Sequence, residues 1–138
     1  MRGRGVIVVD SSVLANALGD DGPQGTRARH AIRASGALSA PDLVDIETLA
    51  VLRKCWLAGT ISRRRFASAL DELESIPVVR YPTLRLMRRA YELRDNATPY
   101  DAAYVALAEA LDCELLTGDS RLAGAPGPRC IIRVLSST

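Results

Sequence analysis

Residues 6–12 read Val6-Ile7-Val8-Val9-Asp10-Ser11-Ser12. Four β-branched apolar residues in a row predict a short strand buried on both faces, as in the middle of a parallel sheet. The run stops abruptly at a carboxylate and two hydroxyls. Open α/β sheets place their ligands at the carboxyl ends of such strands. Asp10 therefore has two readings. It is one wall of an acidic, metal-binding pocket, or it caps a helix over about Ser11 to Leu18, which Asp does well. The rest of the chain decides whether other carboxylates converge on the same place.

A second stretch repeats the device. Cys113-Glu114-Leu115-Leu116-Thr117 predicts another buried strand, and it ends in Gly118-Asp119-Ser120. Asp119 alone could cap the short turn at Ser120-Arg121-Leu122. Neighbouring parallel strands bring such ends together, so two strands that both end in Asp carry more weight than one.

Between them the pattern is βα repeated. Gly19-Asp20-Asp21-Gly22-Pro23 is a turn, and a polar helix follows over about Gln24 to Ala34. His30 is the sole histidine, reads as solvated, and receives no role. Gly36 to Ala40 is a short connection or a small strand. Pro41 opens the longest helical pattern, to about Ala58, with Gly59 past its end. Asp42 and Asp45 fall in that first turn, where they complement the helix dipole. Glu47 differs, because Leu43, Val44, Ala50 and Val51 are its helical neighbours. A carboxylate in an apolar stripe is costly unless something pairs with it, so a bound cation or a polar cleft explains Glu47 more economically than snorkelling out to solvent.

Ser62 caps a helix to about Glu74, with Phe66, Ala69, Leu70 and Leu73 as its apolar face. Arg63, Arg64 and Arg65 at its start read as a solvated end, with phosphate contact the alternative. Ile76 to Tyr81 is a strand. Thr83 to about Arg94 is a helix with Leu84, Met87 and Tyr91 inward and Leu86 as a further candidate for that face. Thr98 precedes a helix from Pro99 to Leu111, and Thr98-x-x-Asp101 has capping-box spacing. Cys130 to Leu135 is a last strand. The fold class is α/β, one domain over 1–138 with a central parallel sheet flanked by helices.

Composition narrows the function. The chain has 138 residues and a net charge of +2, and its three cysteines form no Cys-x-x-Cys pair. Neither a disulfide framework nor a thiolate zinc site is indicated, and a reducing, cytoplasmic compartment is expected. Met1 to Gly5 and the apolar run after it are too short for a signal-peptide core. No run approaches the ~20 apolar residues of a membrane span. Gly3-x-Gly5 precedes its strand, so it is no dinucleotide fingerprint. Seventeen of the 18 basic residues are Arg. Arg matches phosphate, but genome base composition gives the same bias.

The acids left over are Asp10, Glu47, Asp101 and Asp119. Packed together without a cation they would repel one another, and their pKa values would rise. Mg²⁺ or Mn²⁺ removes that penalty, takes oxygen ligands, and can activate water against a clamped phosphate. There is no His/Cys set for zinc and no Ser-His pair for acyl transfer. An aspartate-nucleophile phosphatase needs Asp at position 12, where Ser12 stands. A receiver domain needs a Lys after a late strand, and Lys54 lies mid-helix.

Val8 to Ser12, Pro41-Asp42-Leu43 leading to Glu47, Tyr100-Asp101-Ala102-Ala103-Tyr104-Val105-Ala106-Leu107-Ala108-Glu109, and Leu115 to Leu122 resemble the motifs of PIN-domain ribonucleases. Chain size and the third motif point to the VapC-type toxins of bacterial toxin–antitoxin pairs. The resemblance covers essentially the whole chain, and none of the four acids is missing. It implies a Mg²⁺- or Mn²⁺-dependent endoribonuclease. Asp10, Asp101 and Asp119 would hold the metal, and Glu47 would bind a second ion or orient the attacking water. Ser11, Ser12 and Thr117 would support the acids or the phosphate, with simple capping as their alternative. It also implies a homodimer and a cognate antitoxin whose tail blocks the cleft. Rival readings are a PIN-type nuclease with another role, in RNA processing or on DNA, and a non-catalytic binding domain on the same fold. The latter would usually have lost an acid.

Overall fold

A computed structural model describes residues 5–135; the reading of residues 1–4 lies outside them. The strands are β1 (Val6–Val9), β2 (Ala37–Pro41), β3 (Val78–Tyr81), β4 (Glu114–Thr117) and β5 (Ile132–Val134). The helices are α1 (Ser11–Gly19), α2 (Pro23–Ala34), α3 (Val44–Leu57), α4 (Arg63–Ser75), α5 (Met87–Glu92), α6 (Pro99–Ala110) and α7 (Ser120–Gly124), with a 3₁₀ turn over Thr83–Leu86.

All five strands are parallel, in the order β3-β2-β1-β4-β5. The chain starts at the centre, builds outward through β2 and β3, and returns to add β4 on the other side of β1. The order thus reverses at the β1/β4 boundary, where open sheets of this kind bind ligands. Register aligns Val9 with Leu116, so Asp10 and Asp119 leave the sheet at the same edge.

The two Asp-terminated strands are adjacent because both are apolar enough for the centre. Val8, Val9, Leu115 and Leu116 have no solvent exposure. Helix α6 is buried over the seven residues Ala102–Ala108 and packs against β1, β2 and β4. Its Ala-rich sequence permits that close approach. Helix α1 packs against β4, α2, α3 and α4.

Three expectations need correction. Pro41 does not open α3; it is the last residue of β2, paired with Tyr81 of β3, and α3 begins at Val44. A strand-end Pro is tolerated where its missing donor is not needed. Asp42 consequently lies before the helix, where its carboxylate accepts bonds from Thr83 N (3.2 Å) and Thr83 Oγ1 (2.5 Å). Asp45 does lie in the first turn of α3, but its carboxylate also binds Arg80 Nη2 at 2.8 Å. The helix expected over 83–94 is a 3₁₀ turn running into a short α5. This break in period turns Leu84 and Tyr91 outward, to 83% and 63% exposure, while Leu86, the further candidate, is buried as expected. Leu70 is also exposed, leaving Ala69 and Leu73 as the buried residues of α4.

Candidate active site

Asp10 caps α1 and also lies among other acids. Its backbone N–H donates to Leu116 O at 3.2 Å, which joins β1 to β4 at their ends. Oδ1 accepts from Val13 N at 3.2 Å, capping α1, and from Ser12 Oγ at 2.6 Å. Oδ2 accepts from Thr117 Oγ1. The carboxylate is buried, and that burial pushes its pKa up; the bonds from Ser12, Thr117 and Val13 pull the other way, and the charge of Asp101 adds to the rise.

Thr117 and Ser12 tie the two strand ends together. Thr117 Oγ1, fully buried, also accepts from Asp119 N at 3.0 Å. Ser12 Oγ accepts from Gly118 N at 3.1 Å. Asp119 caps α7, with Oδ1 accepting from Arg121 N at 2.9 Å and from Arg121 Nε at 3.4 Å.

Asp101 occupies the first turn of α6. Thr98 Oγ1 accepts from Asp101 N at 3.1 Å, so the cap read from the spacing is real. Burial and the nearby charge of Asp119 raise the Asp101 pKa, while Thr98 and Arg121 oppose that rise. Glu47, in the first turn of α3, accepts a 2.6 Å bond from the Tyr104 hydroxyl. Its pKa is raised by burial and, more weakly, by Asp101 and Asp10, with the Tyr104 bond acting against them. Tyr104 is 2% exposed, its hydroxyl faces Ser11 as well, and burial beside Glu47 lifts its pKa above the ordinary phenol value.

All four acids therefore lie at one edge, each within electrostatic reach of at least one other. Ser11, Ser12 and Thr117 stand among them. Among the described residues, no three His, Cys, Asp or Glu side chains are close enough to ligate one ion as they stand. Both Asp10 oxygens and one Asp119 oxygen accept internal bonds instead. The donor set nonetheless suits a hard divalent ion. It consists of carboxylates alone, and three of them have pKa values raised by burial and mutual repulsion, the cost that a cation relieves. A cavity of about 850 Å³ lies at the opposite end of the strands, beside Val6, Cys113 and Ile131, and is lined by none of the four acids.

Two residues of the site escaped sequence reading. Tyr104 looks like one more apolar residue of a buried helix, yet a buried tyrosine hydroxyl needs a partner, and it lies one turn after Asp101. Arg121 looks like a surface residue two positions after Asp119.

Comparison with known proteins agrees with this geometry. The PIN domain family model matches residues 7–128. Ribonuclease VapC1 of Mycobacterium tuberculosis is 43% identical over 129 residues, 93% of this chain and 96% of that protein. The crystal structure of M. tuberculosis VapC20, described as a Sarcin-Ricin loop cleaving toxin, superposes with a TM-score of 0.68 at 18% identity, covering 86% of this chain and 93% of that one. A toxin-antitoxin complex from Klebsiella pneumoniae has a chain of the same fold, with a TM-score of 0.55 at 20% identity over 91% of this chain and 99% of its own. A central parallel sheet ending in paired aspartates, a family match across most of its length and this degree of identity show that the chain belongs to the PIN-domain family, among its VapC-type members.

Proposed function

We propose that this chain is a Mg²⁺- or Mn²⁺-dependent endoribonuclease, the toxin of a toxin–antitoxin pair. The observation that carries the reading is the convergence of Asp10, Glu47, Asp101 and Asp119 where the strand order reverses. The 43% identity to a protein named as a ribonuclease supports the activity.

Asp10, Asp101 and Asp119 would hold the ion. When bound, it supplies a water of lowered pKa and neutralises charge at the scissile phosphate. The chain's residues do the rest. Thr117 and Ser12 fix Asp10 by donating to its two oxygens. Glu47, its pKa raised by burial, is suited to take a proton from the attacking water. Tyr104 holds Glu47 Oε1 and so sets the direction of the free oxygen. RNA that is single-stranded or looped can splay its backbone into such an edge. A protein antitoxin is the expected partner, in keeping with the complex from Klebsiella pneumoniae that shares the fold.

The test is cleavage of total cellular RNA by the purified chain, freed of any partner, with Mg²⁺, with Mn²⁺ and with EDTA. Discrete fragments that vanish in EDTA are expected. Absence of cleavage with either metal overturns the reading.

A further inference from the structure

An edge carrying four carboxylates repels the phosphates it is proposed to cleave, and beside the ion a basic side chain there offsets part of that repulsion. Arg121 is, among the described residues, the basic side chain paired with one of the four acids. Its Nε lies 3.4 Å from Asp119 Oδ1, and its charge also reaches Asp101. The side chain is 92% exposed, and among the described residues no bond occupies either of its terminal nitrogens. An ion pair so exposed is weak and screened, so Asp119 holds Arg121 at the site without retaining it. The position follows from the fold: α7 starts directly after β4, and Arg121 N caps onto Asp119, which fixes the backbone and leaves the guanidinium in solvent.

We propose that Arg121 is the phosphate-gripping residue of this edge, exchanging Asp119 for a backbone phosphate of bound RNA. This rests on the nuclease reading above. Without substrate or ion, Arg121 offsets part of the negative charge. When Asp119 turns to a cation, the guanidinium is released with its fork free, the geometry that binds phosphate in a bidentate way. Arg121 and the cation thus compete for Asp119 but cooperate on RNA.

The test uses the full chain and a fluorescein-labelled single-stranded RNA of mixed sequence, with anisotropy measured in EDTA across a range of KCl concentrations. Arg121→Met should weaken binding and reduce the slope of log K against log salt by about 0.7, the contribution of one phosphate contact on a single strand. Arg121→Lys should keep the slope. Arg33→Met, altering an exposed residue at the other end of the sheet, should change neither. In a separate titration without RNA, Arg121→Met should bind Mn²⁺ more tightly than the parent chain. An unchanged salt slope, or weaker Mn²⁺ binding, overturns the proposal, since a residue that merely positions Asp119 gives those results. If the parent chain neither binds nor cleaves RNA, the nuclease reading fails with it; if the parent cleaves and the Arg121→Met slope is unchanged, only the proposal for Arg121 fails.

Discussion

The Tyr104 hydroxyl and the Glu47 carboxylate meet at 2.6 Å, joining the buried face of α6 to the first turn of α3. Two helices that begin at the same edge of the sheet are thereby locked at the point where their acids face each other.

Tyr104→Phe removes this bond and little else. The bond favours ionised Glu47, so its loss raises the Glu47 pKa further. The acid limb of the pH–rate profile should move to higher pH. The rate at neutral pH should fall about 10- to 100-fold, as is usual for residues that orient a ligating group. NMR titration of the glutamate carboxyl carbons checks the first effect and RNA cleavage the second.

Asp101→Asn should abolish cleavage and, in EDTA at neutral pH, raise the melting temperature. The Asp101 carboxyl titrates at higher pH in the folded chain than unfolded, because burial and Asp119 disfavour its charge. The folded chain then binds more protons in that interval. Stability from this group is greatest below the ordinary carboxylate pKa and falls as pH rises through the raised value. The difference in melting temperature between parent and variant should grow from mildly acidic to neutral pH. Glu109 titrates in the opposite direction, since Arg89 and Arg129 stabilise its charge against burial; it is common to both chains and cancels in the difference.

Mg²⁺ or Mn²⁺ should stabilise the parent chain thermally. An ion that binds only the folded state adds about 2.7 kcal/mol at a hundred times its Kd. Asp10→Asn keeps the shape and the cap on α1 but loses a charge, so it should fold, fail to cleave and show little of this shift. Calorimetry with and without EDTA distinguishes the cases.

Thr117→Val should cost more than its volume implies. The hydroxyl is fully buried, donates to Asp10 and accepts from Asp119 N. Its removal strands both partners, at about 1–3 kcal/mol for each buried group left unpaired. Thr117→Ser should recover most of the stability and the activity. Denaturant unfolding measures the first and RNA cleavage the second.

Gly25→Ala probes the frame instead of the site. A Cβ there would meet Asp20 O at 1.7 Å and Arg29 Nη1 at 2.9 Å. Backbone must shift to admit it, and the loss should reach at least the ~1–3 kcal/mol usual for overpacking. Denaturant midpoints report it.

The central strands were legible because burial on both faces selects apolar residues, Val6 to Val9 throughout β1 and Leu115-Leu116 in β4. The same runs made Asp10 and Asp119 visible as interruptions. Where two constraints act on one residue, the sequence was less clear. Pro41 fits a helix start as well as a strand end, and only its pairing with Tyr81 decides. Leu84 and Tyr91 follow a helical period that the 3₁₀ turn breaks. Tyr104 is hidden because a core tyrosine and an orienting tyrosine have the same spacing; the partner, Glu47, lies 57 positions away.

Thr117 reaches Asp10 across 107 positions of chain, the full span from the first strand to the fourth. A chain emerging from a ribosome carries Asp10 and Glu47 long before Asp119 exists. Because β4 must insert beside β1 to bring Thr117 and Asp119 to that edge, the acid cluster is completed only when the fourth strand docks. A chain that stops short of β4 therefore carries Asp10 and Glu47 without the strand that brings Thr117 and Asp119 beside them.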